Sequence, residues 1–128
     1  MSAAGDIPIT IEIFGIIKLE GSIDRIKAPL SADAVLNKMP FVLRGRFNFG
    51  SKQYWTLPGM RLKEGLNPKS VRGVKKGDLV YNPKTDELII VLEDLEMPNK
   101  INIIGKVLIN EEILKAQNGL NTKVSKKK

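Results

Sequence analysis

The chain contains neither histidine nor cysteine, and these two absences remove much familiar site chemistry. No Ser-His-Asp triad, cysteine nucleophile, thiolate zinc site or histidine acid–base pair can be built from it. A cysteine-free chain also makes no use of an oxidising compartment. Long apolar runs are missing too. The longest stretches, Leu88 to Leu92 and the interrupted Ile7 to Ile17, fall far short of the roughly 20 residues a membrane-crossing helix needs. Met1 to Asp6 reads MSAAGD, without the basic start and apolar core of a secretory signal. A cytoplasmic protein with no membrane association is expected. Carboxylates remain at Asp78, Asp86, Glu87, Glu93, Asp94 and Glu96, but their spacing matches no cation-binding loop, and a solvated acidic face is expected. Glycosidase chemistry needs two carboxylates across a cleft, which no spacing here indicates. No catalytic set, metal site or cofactor is expected.

What is present describes a folded protein. The 128 residues are 42% hydrophobic and 27% charged, a globular balance, at a length suited to one domain. That domain is placed at residues 1–120, followed by a flexible basic tail over 121–128. Apolar residues recur with a period near two, the pattern of half-buried strands. Ile7, Ile9, Ile11 and Ile13 alternate with Pro8, Thr10 and Glu12, giving a first strand that continues towards Leu19. Gly21-Ser22 supplies a turn, and Ile23 to Lys27 a short return strand. Ser31 caps a helix carried by Ala32, Ala34, Val35 and Leu36 and stopped by Pro40.

From Phe41 to Phe49 alternation resumes. It sets Phe41, Leu43, Gly45, Phe47 and Phe49 on one face and Val42, Arg44, Arg46 and Asn48 on the other. A turn at Gly50-Ser51 leads into a strand from Gln53 to Leu57. The stretch 58–76, rich in Gly, Pro, Asn and Lys, reads as a long loop with some extended structure. Asp78 to Tyr81 and Glu87 to Glu93 form a hairpin joined through Asn82-Pro83-Lys84-Thr85. Ile101 to Ile109 is a further strand, and Glu111 to Gln117 a short helix ended by Asn118-Gly119. Seven or eight short antiparallel strands leave two sheet edges to hide, and closure into a barrel hides them.

Gly77-Asp78-Leu79-Val80-Tyr81-Asn82-Pro83, the strand Leu88 to Leu92, and Asn102-Ile103-Ile104-Gly105-Lys106-Val107 together resemble the small prokaryotic cyclophilin-like family of uncharacterised proteins. Phe49-Gly50 followed by Tyr54-Trp55 looks like that family's aromatic hairpin. The resemblance runs over roughly residues 9 to 115. It implies a closed, eight-stranded antiparallel barrel with two short helices. True cyclophilins isomerise the bond before proline with an arginine, aromatic residues, a glutamine and a histidine. Here Arg46, Phe47, Phe49, Gln53 and Trp55 supply some of those types without their spacing, so a degenerate prolyl isomerase is one reading the resemblance implies.

The net charge is +7, and residues 44–76 hold nine basic side chains against the single acid Glu64. Arg44, Arg46, Lys52, Arg61, Lys63, Lys69, Arg72, Lys75 and Lys76 form this patch. Residues 77–100 carry six acids against two lysines. Basic residues beside aromatics suit single-stranded nucleic acid, and Arg44-Gly45-Arg46-Phe47-Asn48-Phe49 is similar to the strand motif of RNA-recognition sheets. Alternation, however, puts the rings opposite the arginines, so Phe41, Phe47 and Phe49 are expected in the core. The patch could equally face the acidic segment in an internal ion-pair network, a habit of heat-adapted proteins. The leading expectation is a noncatalytic module binding a peptide, a protein or a small ligand in a groove formed by Arg46, Gln53, Tyr54, Trp55 and Arg61. Tyr54 and Trp55 point to opposite faces, and either one could be exposed. Salt-dependent nucleic acid binding through 44–76 is the alternative.

Overall fold

The computed structural model of the protein describes residues 6–26, 28–48, 51–62, 65 and 69–127. Its first hairpin pairs β1 (Ile7–Ile13) with β2 (Ile17–Ile23), and Ile9, Ile11, Ile13, Leu19 and Ile23 all point into the core. The turn lies at Phe14 to Ile16, with Gly15 at φ 80°, and not at the expected Gly21-Ser22. Gly21 is instead a strand residue at a close backbone crossing: a Cβ there would lie 2.4 Å from the Lys106 carbonyl oxygen. Glycine in a strand marks such an approach as readily as a turn. The return strand expected from Ile23 to Lys27 therefore ends where it was to begin.

Helix α1 (Pro29–Lys38) starts on a proline and buries Ser31, Ala32, Val35 and Leu36. Proline suits the first helical position because its missing N–H would be unpaired there anyway. Ser31 does not cap it; Ala28 occupies that position without a side-chain bond. The chain then forms β3 (Phe41–Arg44), β4 (Arg46–Phe47), β5 (Tyr54–Pro58), β6 (Val71–Val74), β7 (Asp78–Asn82), β8 (Glu87–Val91) and β9 (Leu95–Val107). A single 3-10 turn at Glu111–Lys115 stands where a second helix was expected, capped by Asn110 Oδ1, which accepts from the Glu112 N–H at 3.0 Å. Residues 121–126, expected to be a flexible tail, form β10 (Asn121–Lys126), hydrogen-bonded to β1 on one side and β3 on the other. Its alternate residues Thr122 and Val124 are fully buried, a period-two signal hidden among lysines.

Among the described residues the strands are antiparallel and ten in number, and run β3-β10-β1-β2-β9-β7-β8-β5-β4, with β6 paired to β9 off this path. The fold is mainly β, but the expected closed eight-stranded barrel is not formed: the ladder is open, with β3 and β4 at its ends. Those ends are consecutive in the chain and meet at Gly45. There the backbone bonds to the 119–120 segment, Gly45 N–H to Leu120 O at 2.9 Å and Gly119 N–H to Gly45 O at 2.7 Å, in place of continuing a ladder to β5. The break at Gly45, β6 inside the expected loop and β10 in the expected tail account for the larger strand number. Among the described residues no helix is long and apolar enough to cross a membrane.

Two apolar layers result. Facing inward, Phe47, Trp55, Ile90 and Leu79 line up across β4, β5, β8 and β7 and join the main core with the β1 isoleucines and α1. Outside the same strands, Val80, Ile89 and Val91 are covered by Val74, Met97 and Ile101 of the β6–β9 ribbon, with Tyr54 packed at the margin. Burial on both faces explains why Leu88 to Leu92 is a continuous apolar run and not an alternating one.

Candidate functional site

The outward row is polar at the β4 end of the sheet and becomes apolar at β8. Arg46 stands opposite Thr56, and Thr56 opposite Ile89; Tyr54 and Glu87 flank this row on β5 and β8. The 116–118 segment completes the wall, because Asn118 Oδ1 accepts from the Phe47 N–H at 2.9 Å. The result is a recess of about 390 Å³ lined by Arg46, Phe47, Asn48, Tyr54, Thr56, Glu87 and Asn118. It shares Phe47, Asn48 and Asn118 with a neighbouring depression of about 510 Å³ that is also lined by Lys52, Ala116 and Gln117. Volumes in this range suit small ligands.

Arg46 and Glu87 approach to 3.4 Å, with the arginine side chain 58% exposed and the glutamate side chain only 15%. That separation is longer than the 2.7–2.9 Å of a tight charge-assisted bond. Glu87 also accepts from Thr85 Oγ1 at 2.7 Å. Burial, and then the Glu87 charge, push the Tyr54 phenol above its ordinary pKa, so it stays protonated and able to donate. Asn48 is fully engaged in the turn: its Oδ1 accepts from Gln53 N–H at 2.8 Å and Tyr54 N–H at 3.1 Å, and its Nδ2 donates to Ser51 Oγ at 2.6 Å. Lys52 donates to Leu114 O at 2.7 Å and lies 5.1 Å from the centre of the Phe47 ring.

Of the five residues expected to form a groove, Arg46 and Tyr54 line this recess. Trp55 does not: it is fully buried, edge-on to Phe47 with centroids 4.9 Å apart, and its Nε1 donates to Thr122 Oγ1 at 3.2 Å. Being the residue after Tyr54, it takes the opposite face of β5, and so Tyr54 is the outward one. Gln53 serves the turn, accepting from Asn48 Nδ2 at 3.2 Å. Arg61 lies elsewhere, in a left-handed conformation (φ 59°), its N–H donating to Asp86 Oδ2 at 2.5 Å. That carboxylate also accepts from Leu62 N–H at 3.0 Å and Tyr81 Oη at 2.6 Å. Thr56, Glu87 and Asn118 were not singled out as groove residues. Asn118-Gly119 carried a signal, but it read only as a helix stop.

The basic patch is dispersed. Arg44 is exposed on β3, opposite Asn121. Arg72 donates through Nε to Met97 O at 3.0 Å. Lys69, Lys75 and Lys76 are exposed; the backbone N–H groups of Lys75 and Lys76 bond to Asp78 and Asp94, each at 2.9 Å. Lys63, like Phe49, lies outside the described residues. β6 of the basic segment does pair with the acidic stretch, Gly73 standing opposite Glu96, yet among the described residues Arg46 is the one patch member with an ion pair. Phe41 and Phe47 are buried as expected, opposite their exposed arginine neighbours. No three acidic residues come together as a metal cluster among the described residues.

The sequence matches no family model and no curated protein. By structure, the chain is similar to the hypothetical protein AF2241 from Archaeoglobus fulgidus, with TM-score 0.76 and 13% identity over 98% of both chains. It is also similar to McbB, solved in complex with tryptophan, with TM-score 0.73 and 14% identity over 93% of this chain. The chain spans 44% of McbB's length. At such identities the likeness is one of fold.

Proposed function

We propose that the protein is a noncatalytic binding module whose small-molecule or peptide ligand occupies the recess between the β4–β5 turn and the 116–118 segment. One observation carries this reading. Arg46, Tyr54, Glu87 and Asn118, drawn from distant parts of the chain, converge on a single recess of about 390 Å³. A concave site with a few convergent polar groups is the usual form of a ligand pocket. McbB, which shares the fold over part of its length, has been solved with a small ligand, tryptophan, and this lends the reading support. Membership of the cyclophilin-like family belongs to the same proposal and rests on the segments quoted above. Burial of Phe47 and Trp55 leaves a degenerate prolyl isomerase with fewer of its groove residues.

Amide chemical-shift mapping of the full chain against short peptides, small anions and polar metabolites tests the proposal. Shifts clustered on Arg46, Asn48, Tyr54 and Asn118, reduced by Arg46→Ala, are expected. Silence at these residues towards every class would remove it. The nucleic acid alternative draws on exposed Arg44 and Arg46 on one face. It requires single-strand binding that falls steeply with salt, and binding that survives Arg44→Ala with Arg46→Ala would exclude it.

A further inference from the structure

The pairing of opposite charges inside the recess narrows the ligand class. Arg46 and Glu87 lie side by side at 3.4 Å, so a simple anion drawn to the guanidinium meets the carboxylate, and a simple cation drawn to Glu87 meets the guanidinium. Like charges brought together are penalised as strongly as opposite ones are rewarded. A ligand with one positive and one negative group on a single carbon escapes both penalties. Resting on the binding-module reading, we infer that the recess recognises the adjoining ammonium and carboxylate of a free α-amino acid, the carboxylate on Arg46 and the ammonium on Glu87.

Both partners have capacity to spare. A guanidinium has five N–H donors, and among the described residues Arg46 uses one, towards Glu87 Oε2. Glu87 accepts from Thr85 on Oε1 and from Arg46 on Oε2, while a carboxylate offers about four acceptor sites. The Glu87 side chain is mostly covered, at 15% exposure, which holds its carboxylate in place at the recess, where an ammonium is attracted more strongly than in bulk water. Asn118 holds the wall through Oδ1, which among the described residues leaves its Nδ2 as a further donor towards the carboxylate. The ligand's side chain has room in the adjoining depression beside Phe47, Ala116 and Gln117. A mid-chain peptide segment has neither charged group and gains nothing from this pair.

The test uses L-phenylalanine, L-glutamine and L-glutamate as probes, each also as its N-acetyl and its carboxamide derivative, titrated into the full chain by NMR. At least one free amino acid should shift Arg46, Tyr54 and the Asn118 side chain, and removing either charge should weaken its binding about tenfold, the usual cost of a charged hydrogen bond. Glu87→Gln should weaken the free amino acid while strengthening the N-acetyl form, because the repulsion of the carboxylate is gone; a merely structural Glu87 would not invert the preference. Capped derivatives binding as well as free ones would overturn the inference and leave the binding module standing. No response to any amino acid would also overturn it. If peptides and other metabolites were silent as well, the binding-module reading would fall with it.

Discussion

The indole of Trp55 fills the space that a side chain on Gly45 would take: a Cβ at position 45 would come within 2.2 Å of Cε2 and Nε1 of that ring. Gly45 faces inward on the alternation of β3 and β4, and Trp55 is fully buried and tied to Thr122, so neither can yield cheaply. Gly45→Ala is therefore expected to cost at least the 1–3 kcal/mol or so of an overpacked core. Urea unfolding followed by Trp55 fluorescence measures it. Gly73→Ala, where nothing lies within 4 Å, is the matched control and should change stability by less than about 0.5 kcal/mol.

Asp86 anchors the chain leaving β5. Burial alone would raise its pKa, but the Tyr81 hydroxyl, the N–H groups of Leu62 and Arg61, and the Lys38 charge outweigh that and hold the carboxyl below its ordinary range. A depressed folded-state pKa contributes stability above the unfolded value, about 3.9, and that stability is lost as pH falls through the folded value. Protection of the Arg61 and Leu62 amides, measured against the exchange of an unstructured chain at the same pH, should thus hold down to about pH 4 and fall below it. Asp86→Asn, which tolerates the positive φ of 57°, should abolish this acid-dependent step and cost about 1 kcal/mol at neutral pH.

Tyr54 gives a complementary alkaline signal. Its phenol is raised by burial and then by Glu87, so it favours folding below the unfolded pKa of about 10, and that contribution disappears as pH rises through the folded value. In a Tyr81→Phe background the phenolate absorbance reports Tyr54 alone. Its midpoint should lie above that of free tyrosine and move down in Glu87→Gln.

Removal of residues 121–128 should abolish cooperative unfolding, because β10 is an interior strand holding β1 to β3. Removal of Lys127 and Lys128 alone forfeits the Lys127–Glu20 ion pair and the Lys127 N–H bond to Pro8 O at 3.0 Å. An exposed pair contributes about 0–1 kcal/mol, so the melting temperature should fall by only a few degrees. Thermal melts of the two truncations separate a strand from a frayed tail.

Legibility in the sequence tracked local chemistry. The faces of Phe41 to Phe47 follow from alternation, and the hairpin from Asp78 and the strand at Ile101 from apolar runs bounded by turn residues, all signals that nearby residues alone decide. Gly21 was misread because the atom that needs it to be glycine, the Lys106 carbonyl oxygen, is distant in sequence. β10 was missed because Lys123 and Lys126 outweigh Thr122 and Val124 in any local count. The site shows the same divide. Alternation sets Arg46 outward opposite the rings and puts Tyr54 and Trp55 on opposite faces without deciding between them, whereas Glu87 and Asn118 reach the recess only through pairings of β4 with β5 and β5 with β8, and through a hydrogen bond spanning 71 residues. Composition placed the basic segment beside acids but could not tell that Arg72 would bond to a carbonyl.

The ribbon of β6 and β9 over the outer face of β8 has a bearing on colloidal behaviour. Leu88 to Leu92 is a short, uncharged, β-favouring run, the kind of segment that seeds cross-β aggregation once exposed. In the folded chain Val74, Met97 and Ile101 cover one side of it while the main core takes the other. Loosening that ribbon, more than disturbing the recess, is therefore the step that would make this protein sticky.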